Sequence, residues 1–196
     1  MNPAGNEREP HWLASLRGRP GLVAAALWGF AEGTLFFVVA DVLFTRVAVS
    51  RPVRALAHLG LATAGALAAG VLMFAWSSRD PAAARAAVAA VPKVGAAMVD
   101  RTEARLDEVG LAALFDRPLG GVPYKVHAVL APGRFELASF LGASLFARLE
   151  RFALSWAAFA LLFLAFVRRR SEHSRVPGRI HAVFWILVYG YYWLIA

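Results

Sequence analysis

Residues 119–131 form an apolar stretch that is too short to cross a bilayer and is interrupted by glycine and proline. A membrane-spanning helix needs about 20 apolar residues. Non-helical backbone at membrane depth is tolerated only where it is buried in protein or lines a wet cavity. A short, broken apolar segment is therefore a pointer to a substrate site in a transporter; the alternative is an ordinary turn between two soluble helices. The residues that break this region are Gly120, Gly121, Pro123, Pro132 and Gly133.

The composition favours a membrane protein over a soluble domain. The 196 residues are 59% hydrophobic and only 17% charged, whereas a soluble domain carries about 25% charged residues. A net charge of +8 is also found in nucleic-acid-binding proteins. Here the basic residues are bunched beside apolar runs, which is typical of residues that orient a chain in a membrane. We therefore expect membrane lipids as partners and no nucleic acid.

The first long apolar run, residues 22–45, carries two acidic residues. Glu32 lies at its middle and Asp41 nine positions later. A carboxylate at the centre of a bilayer costs at least ~2.5–3.5 kcal/mol unless it is paired or wetted. Arginines flank the run on both sides, so a simple span would place basic flanks on both membrane faces. A re-entrant hairpin that bends near Gly29 and Gly33 keeps both flanks in the cytoplasm; the alternative is a plain helix with a buried ion pair.

The remaining segments predict an all-α integral membrane protein with about three full transmembrane helices and two re-entrant hairpins that enter from opposite faces. Six basic and six acidic residues over 77–117 leave that part neutral, as expected of a non-cytoplasmic loop. The arginine-rich loop after residue 167 is expected in the cytoplasm, as is the N-terminus. In order, the segments are a polar or interfacial arm (1–21), a membrane domain (22–167) made of hairpin one (22–45), a span (55–76), an amphipathic segment (82–116), hairpin two (117–136) and a span (137–167), then a basic loop (168–179) and a last transmembrane helix (180–196).

Hairpin one is acidic and hairpin two is basic. If their tips met, the attraction between opposite charges would offset the free-energy cost of removing those charges from water. A buried carboxyl group beside a cation can exchange a proton, which makes Glu32 and Asp41 candidates for proton coupling. The basic side chains are candidates for binding an anionic headgroup. They are Arg117, Lys125, His127 and Arg134. The alternative is an internal salt-bridge network that fixes the fold.

A second group of charges lies within the predicted span 137–167, at Arg148, Glu150 and Arg151. About 30 helical residues extend ~45 Å, longer than a bilayer core. These three residues could therefore lie inside the helix bundle or extend to an interface.

The sequence contains no recognisable enzyme motif. Nucleotide-binding loops, HExxH, GxSxG and paired-cysteine metal motifs are absent, and the chain has no cysteine. The five histidines have no metal-ligand spacing. We therefore predict no catalytic residue, no metal and no cofactor, and a protein that is not an enzyme; a membrane phosphatase or transferase is a distant third hypothesis.

Two motifs resemble the DedA/VTT (SNARE-associated) membrane family, and especially its short YqaA-like branch. The first is the segment 29–33, Gly-Phe-Ala-Glu-Gly, continuing to Asp41; the second is 117–125, Arg-Pro-Leu-Gly-Gly-Val-Pro-Tyr-Lys, followed by Ala131-Pro132-Gly133. The resemblance covers roughly residues 25–165. The chain departs from the family pattern where the hairpin-one proline is missing before Asp41 and where Tyr124-Lys125 replaces the second arginine.

The resemblance implies a transporter or flippase of anionic lipids, such as a phospholipid or polyprenyl phosphate, in the inner membrane of a bacterium. It makes Glu32 and Asp41 the proton-linked acids and Arg117 and Lys125 their basic partners. The competing hypothesis is a non-transporting membrane scaffold or envelope-maintenance protein whose charges only hold the bundle together.

Overall fold

The structure is a computed structural model that describes residues 15–16, 18–116, 121–167 and 176–194. These residues form an all-α fold with no strand among them. The helices are α1 (Arg19–Gly33), α2 (Asp41–Ala48), α3 (Pro52–Arg79), α4 (Pro81–Ala89), α5 (Gly95–Val109), a 3-10 helix (Gly110–Phe115), α6 (Tyr124–Leu130), α7 (Leu137–Val167) and α8 (Val176–Leu194).

Helix α3 is the element against which most of the others pack. It begins with Pro52, whose missing N–H is harmless in a first turn, and it ends before Asp80, whose carboxylate caps α4 by accepting from the Ala83 amide at 3.0 Å. Among the described helices, α3 alone is long and apolar enough by composition to cross a membrane. The predicted span 55–76 lies within it, and the three-span topology stays a prediction.

Helices α1 and α2 form a hairpin against α3. The Leu16 carbonyl lies 2.8 Å from the His58 ring, and further along Gly33 lies against Ala69, so α1 runs parallel to α3. Helix α2 returns, because Phe44 packs with Leu59 in one apolar cluster. The break covers residues 34–40, rather than the predicted bend at 29–33, and a single helix over 22–45 does not form.

Glycine permits the close approach of α1 and α3. A Cβ at Gly29 would lie 2.0 Å from the Ala62 carbonyl oxygen, and a Cβ at Gly65 would lie 2.0 Å from the Ala26 carbonyl oxygen. Small residues that let two backbones touch are typical of helix contacts in membranes.

The predicted amphipathic segment contains two α-helices and a 3-10 helix. Helix α4 ends at Ala89, Pro92 lies in the gap, and Lys93 takes a positive φ of 65° before α5 begins at Gly95. One face of this segment contributes Val88, Val99 and Leu106 to the main apolar core.

Helices α6 and α7 form a second hairpin on α3. Near the end of α3, the Ser77 hydroxyl donates to the Val129 carbonyl of α6 at 2.6 Å. Helix α7 then runs back along α3, and its Trp156 indole donates to the carbonyl of Pro52, the first residue of α3, at 2.8 Å. The turn between them contains Gly133 at φ 79°. The predicted residues Arg117 and Gly120 lie outside the described part of the chain.

Helix α8 begins at Val176, four residues before the predicted position, and it docks on hairpin one through polar groups. The Tyr189 hydroxyl accepts from the Val39 amide at 2.9 Å, and the Trp185 indole donates to the Thr45 hydroxyl at 3.3 Å. Most of the predicted basic loop, residues 168–175, lies outside the described residues.

Candidate functional site

The two interruptions of the chain meet beside the middle of α3. The Lys125 ammonium, in the first turn of α6, donates to the Phe36 carbonyl in the break of hairpin one at 2.7 Å. Gly70 of α3 lies against the Tyr124 hydroxyl end. Lys125 therefore binds hairpin one through its backbone, because the helix break leaves carbonyls such as that of Phe36 without an intrahelical partner.

The carboxylate of Glu32 is buried and has three donors. Arg148 donates to Oε1 at 2.9 Å, Arg151 donates to the same oxygen at 3.4 Å, and the Ala40 amide donates to Oε2 at 3.1 Å. Ala40 is the residue before α2, so Glu32 accepts from the N-terminal end of the returning helix. Its placement depends on the hairpin and on α7 together.

The carboxylate of Asp41 is equally buried and completes a chain of charges. Arg151 donates to Oδ2 at 2.9 Å, and the Ser155 hydroxyl donates to Oδ1 at 2.6 Å. Arg151 thus bridges Glu32 and Asp41. Because Asp41 is the first residue of α2, its negative charge also lies at the favourable end of that helix dipole.

Arg148 lies among aromatic rings as well as beside Glu32. Its guanidinium carbon is 4.4 Å from the centroid of the Tyr124 ring and 5.6 Å from that of Phe152. A cation against a ring face is stabilised by the ring quadrupole, most strongly where water is excluded. Only 4% of the Arg148 side chain is exposed.

These charged groups line one end of a cavity of about 610 Å³. Two carboxylates face three cations there, which leaves one positive charge if all five groups are ionised. Lys93 and Asp116 also line the cavity and add one charge of each sign, and most other lining side chains are apolar or aromatic. The charged end is formed by Glu32, Asp41, Lys125, Arg148 and Arg151, and the apolar walls include Phe37, Val91, Met98, Leu154, Phe159, Phe184 and Val188.

The structure brings some predicted residues to the cavity and places others elsewhere. His127, Gly121 and Pro123 line the cavity. Arg134 instead lies at the surface, where it pairs with Asp107 at 2.6 Å and Glu103 at 2.9 Å. Glu150 is exposed. Pro132 and Gly133 line a separate, more open cavity with Arg134.

The basic partners of the two acids therefore differ from the predicted ones. Hairpin two was expected to supply them, but α7 does so through Arg148 and Arg151. The reason is geometric: α6 runs along α3 from Gly70, beside Tyr124, to Ser77, beside Val129, so Arg134 follows it at the far end, away from Glu32 and Asp41.

Arg148 and Arg151 were identified from the sequence as charges that could lie inside the bundle, but their pairing with the two acids and the serines beside them were missed, although α7 carried a signal for both. Ser144, Arg148, Arg151 and Ser155 recur at helical spacing, and all point to one face of a helix that is otherwise strongly apolar. Such a polar stripe indicates a shared partner inside a bundle. Tyr189 had no comparable signal, because its contact with Val39 joins residues 150 positions apart.

The arrangement provides buried ion pairs and an amphipathic cavity. Within the described residues no three metal-ligating side chains cluster. Ser155 is hydrogen-bonded to a carboxylate that is itself paired with Arg151. A ligand with an anionic head and an apolar body matches the cavity in both charge and lining.

No protein-family model, no curated protein and no solved structure matches this chain. The resemblance to the DedA/VTT family therefore rests on the two sequence motifs.

Proposed function

We propose that this chain is a multi-pass protein of a bacterial inner membrane that moves the anionic headgroup of a lipid across the bilayer. The observation that carries the proposal is the cavity where the two chain interruptions meet. It combines a charged end with apolar walls, and its lining residue Tyr124 lies against Gly70 of α3, the helix that is long enough to span. A headgroup would occupy the charged end while its hydrocarbon chains stay among apolar side chains.

The polarity of the surface supports a membrane location. Large apolar side chains are exposed on several helices, including Leu27 at 64%, Phe146 at 65% and Ile186 at 70%, while Glu32, Asp41 and Arg148 are buried. Soluble monomers rarely expose large contiguous apolar patches. Apolar groups outside and charges inside are expected of a helix bundle surrounded by lipid.

The two hairpins support transport over a simple anchor. In transporters, broken helices place unpaired backbone groups and charges at a central site. Here the break at 34–40 offers the Phe36 carbonyl to Lys125 and the Ala40 amide to Glu32. Glu32 and Asp41 are the proton-coupling candidates, and Lys125 is the headgroup candidate on the same cavity.

The test is headgroup flipping in proteoliposomes, with fluorescently labelled anionic and zwitterionic lipids. We expect the wild type to flip the anionic lipid and K125M to do so about tenfold more slowly or worse. R79Q, which removes one charge from the exposed end of α3, is the matched control and should flip at the wild-type rate. An imposed pH gradient should change the wild-type rate if a carboxyl group carries a proton.

The scaffold hypothesis is favoured by one specific observation: both carboxylates are already paired with arginine. A purely structural pair can often be replaced by apolar residues of similar size without loss of stability. The double variant E32L/R148M separates the two hypotheses. If the protein is a transporter, the double variant should fold but lose flux. If the wild type moves none of the tested lipids and the double variant is stable, the scaffold hypothesis is favoured.

A further inference from the structure

Unpartnered polar atoms in the described part of the chain are concentrated around Arg148. Two of these atoms are Nε and Nη2 of Arg148, which are buried and lack a hydrogen-bond partner. The hydroxyls of Tyr124, whose ring lies against Arg148, and of Ser144, one helical turn before it on α7, are buried beside it and interact with each other. Since a buried donor without a partner destabilises the folded state, two of them on one side chain require an explanation.

The free atoms of Arg148 form one geometrical unit. Nη1 is engaged by Glu32, while Nε and Nη2 make up the side edge of the planar guanidinium. That edge presents two parallel N–H groups, the arrangement that binds two oxygens of a carboxylate or phosphate together. Arg151 does not present such an edge, because its Nη1 donates to Glu32 and its Nη2 donates to Asp41.

We propose that the side edge of Arg148 is the contact for an oxyanion, which binds there in two-point fashion while Nη1 stays on Glu32. This inference rests on the proposed function for the source of the oxyanion, a lipid phosphate. The Tyr124 ring lies against the guanidinium and Ser144 lies one helical turn before Arg148 on α7, so their hydroxyls are the candidates for further donors. The edge is buried in this structure, so neighbouring side chains move before a ligand in the cavity reaches it.

Arg148 was not among the predicted headgroup-binding residues, and the assignment divides the arginines by role. Arg151 holds the two carboxylates together, and Arg148 both pairs with Glu32 and receives the ligand. Lysine at position 148 would keep the charge beside Glu32 but would lose the two-point edge.

The test is binding of a short-chain phosphatidate to the purified full chain in an uncharged detergent, measured by calorimetry. Dihexanoylglycerol, which lacks the phosphate, and inorganic phosphate are the comparison ligands. We expect phosphatidate to bind, dihexanoylglycerol not to bind, and R148K to weaken phosphatidate binding by about tenfold or more. R101K is the matched control, because Arg101 is exposed on α5 and does not line the cavity, so the same change of side chain there should alter the affinity by less than about threefold.

The ligands distinguish the source of the oxyanion. Binding of phosphatidate well above that of inorganic phosphate supports a lipid phosphate; equal binding of both, still lost in R148K, supports the Arg148 contact with a free anion as the ligand. The proposal is overturned if the wild type shows no phosphate-dependent binding, or if R148K and the wild type bind phosphatidate equally.

A second pair of variants covers the case in which R148K does not fold. E32Q keeps the Arg148 edge and should still bind phosphatidate, whereas E32Q/R148Q should not; retained binding in that double variant contradicts the inference. Flipping assays separate this inference from the proposed function. Wild-type flipping that R148K leaves unchanged would refute the Arg148 contact alone, and Arg148-dependent binding without flipping would refute transport alone.

Discussion

Arg148 donates to Glu32 at 2.9 Å, although the two residues are 116 positions apart in the sequence. Glu32 is the penultimate residue of α1, and Arg148 lies in the first half of α7. The contact joins the first hairpin to the helix that follows the second one. It makes the ion pair both a structural link between the hairpins and a part of the cavity wall.

The pair predicts strong non-additivity in a double-mutant cycle. Removing one member of a buried ion pair leaves an uncompensated charge and costs about 3–5 kcal/mol. We therefore expect E32L and R148M each to lower thermal stability in detergent markedly, and the double variant to lose far less than the sum. Additive losses would show that the two side chains do not interact in the folded protein. E150Q, which changes an exposed charge on the same helix, is the control and should stay near wild type.

The close contact of α1 and α3 predicts opposite effects for two glycine substitutions in one helix. A Cβ at Gly65 would lie 2.0 Å from the Ala26 carbonyl oxygen, whereas a Cβ at Gly60 would meet nothing within 4 Å. We expect G65A to destabilise the fold by about 1–3 kcal/mol through overpacking. G60A should be neutral or stabilising by up to about 1 kcal/mol, because alanine favours helix. Equal melting temperatures for the two variants would contradict the close approach.

The docking of α8 predicts a local effect of removing one hydroxyl. The Tyr189 hydroxyl accepts from the Val39 amide, so Y189F leaves that amide without its partner. We expect a loss of about 0.5–1.5 kcal/mol and faster hydrogen exchange at Val39. Y191F is the matched control because Tyr191 is 61% exposed. Unchanged exchange at Val39 in Y189F would be evidence that α8 does not dock there.

The surface cluster on α4 and α5 predicts a pH dependence in the acidic range. The hydrogen bond from Arg85, at 2.6 Å, together with the neighbouring Arg134, holds the pKa of Glu103 below its ordinary value of 4.5. In the unfolded chain Glu103 binds a proton at higher pH, so its contribution to stability is present above about pH 4.5 and is lost as the pH falls through the lower folded value. The melting temperature should therefore fall on acidification.

The variant E103Q tests the assignment of that pH dependence. Glutamine cannot titrate, so the wild-type and E103Q melting temperatures should converge as the pH falls below about 4.5. R101Q removes an exposed charge from the same helix and leaves Arg85 and Arg134, the partners of Glu103, in place, so it should keep the wild-type slope. A constant difference between wild type and E103Q across this range would count against the pairing.

The sequence by itself determined the all-helical class and several of the important residues. Glu32 and Asp41 were identifiable because acidic groups in a long apolar run require a partner or water. The breaks near 34–40 and at Pro132-Gly133 followed from glycine, proline and charge flanks, although the first was placed a few residues early. These are local properties, and local composition is sufficient to predict them.

Only the tertiary structure decided which charges meet. The sequence suggested that the basic residues of hairpin two would pair with the acids, but Arg134 lies in a surface cluster and Lys125 binds a backbone carbonyl. Arg148 and Arg151 became the partners because α7 returns along α3 with their face towards hairpin one. Pairing across more than 100 residues depends on how the helices are arranged in space. Helical periodicity tells which residues share one face of a helix, but it does not tell which other helix that face meets.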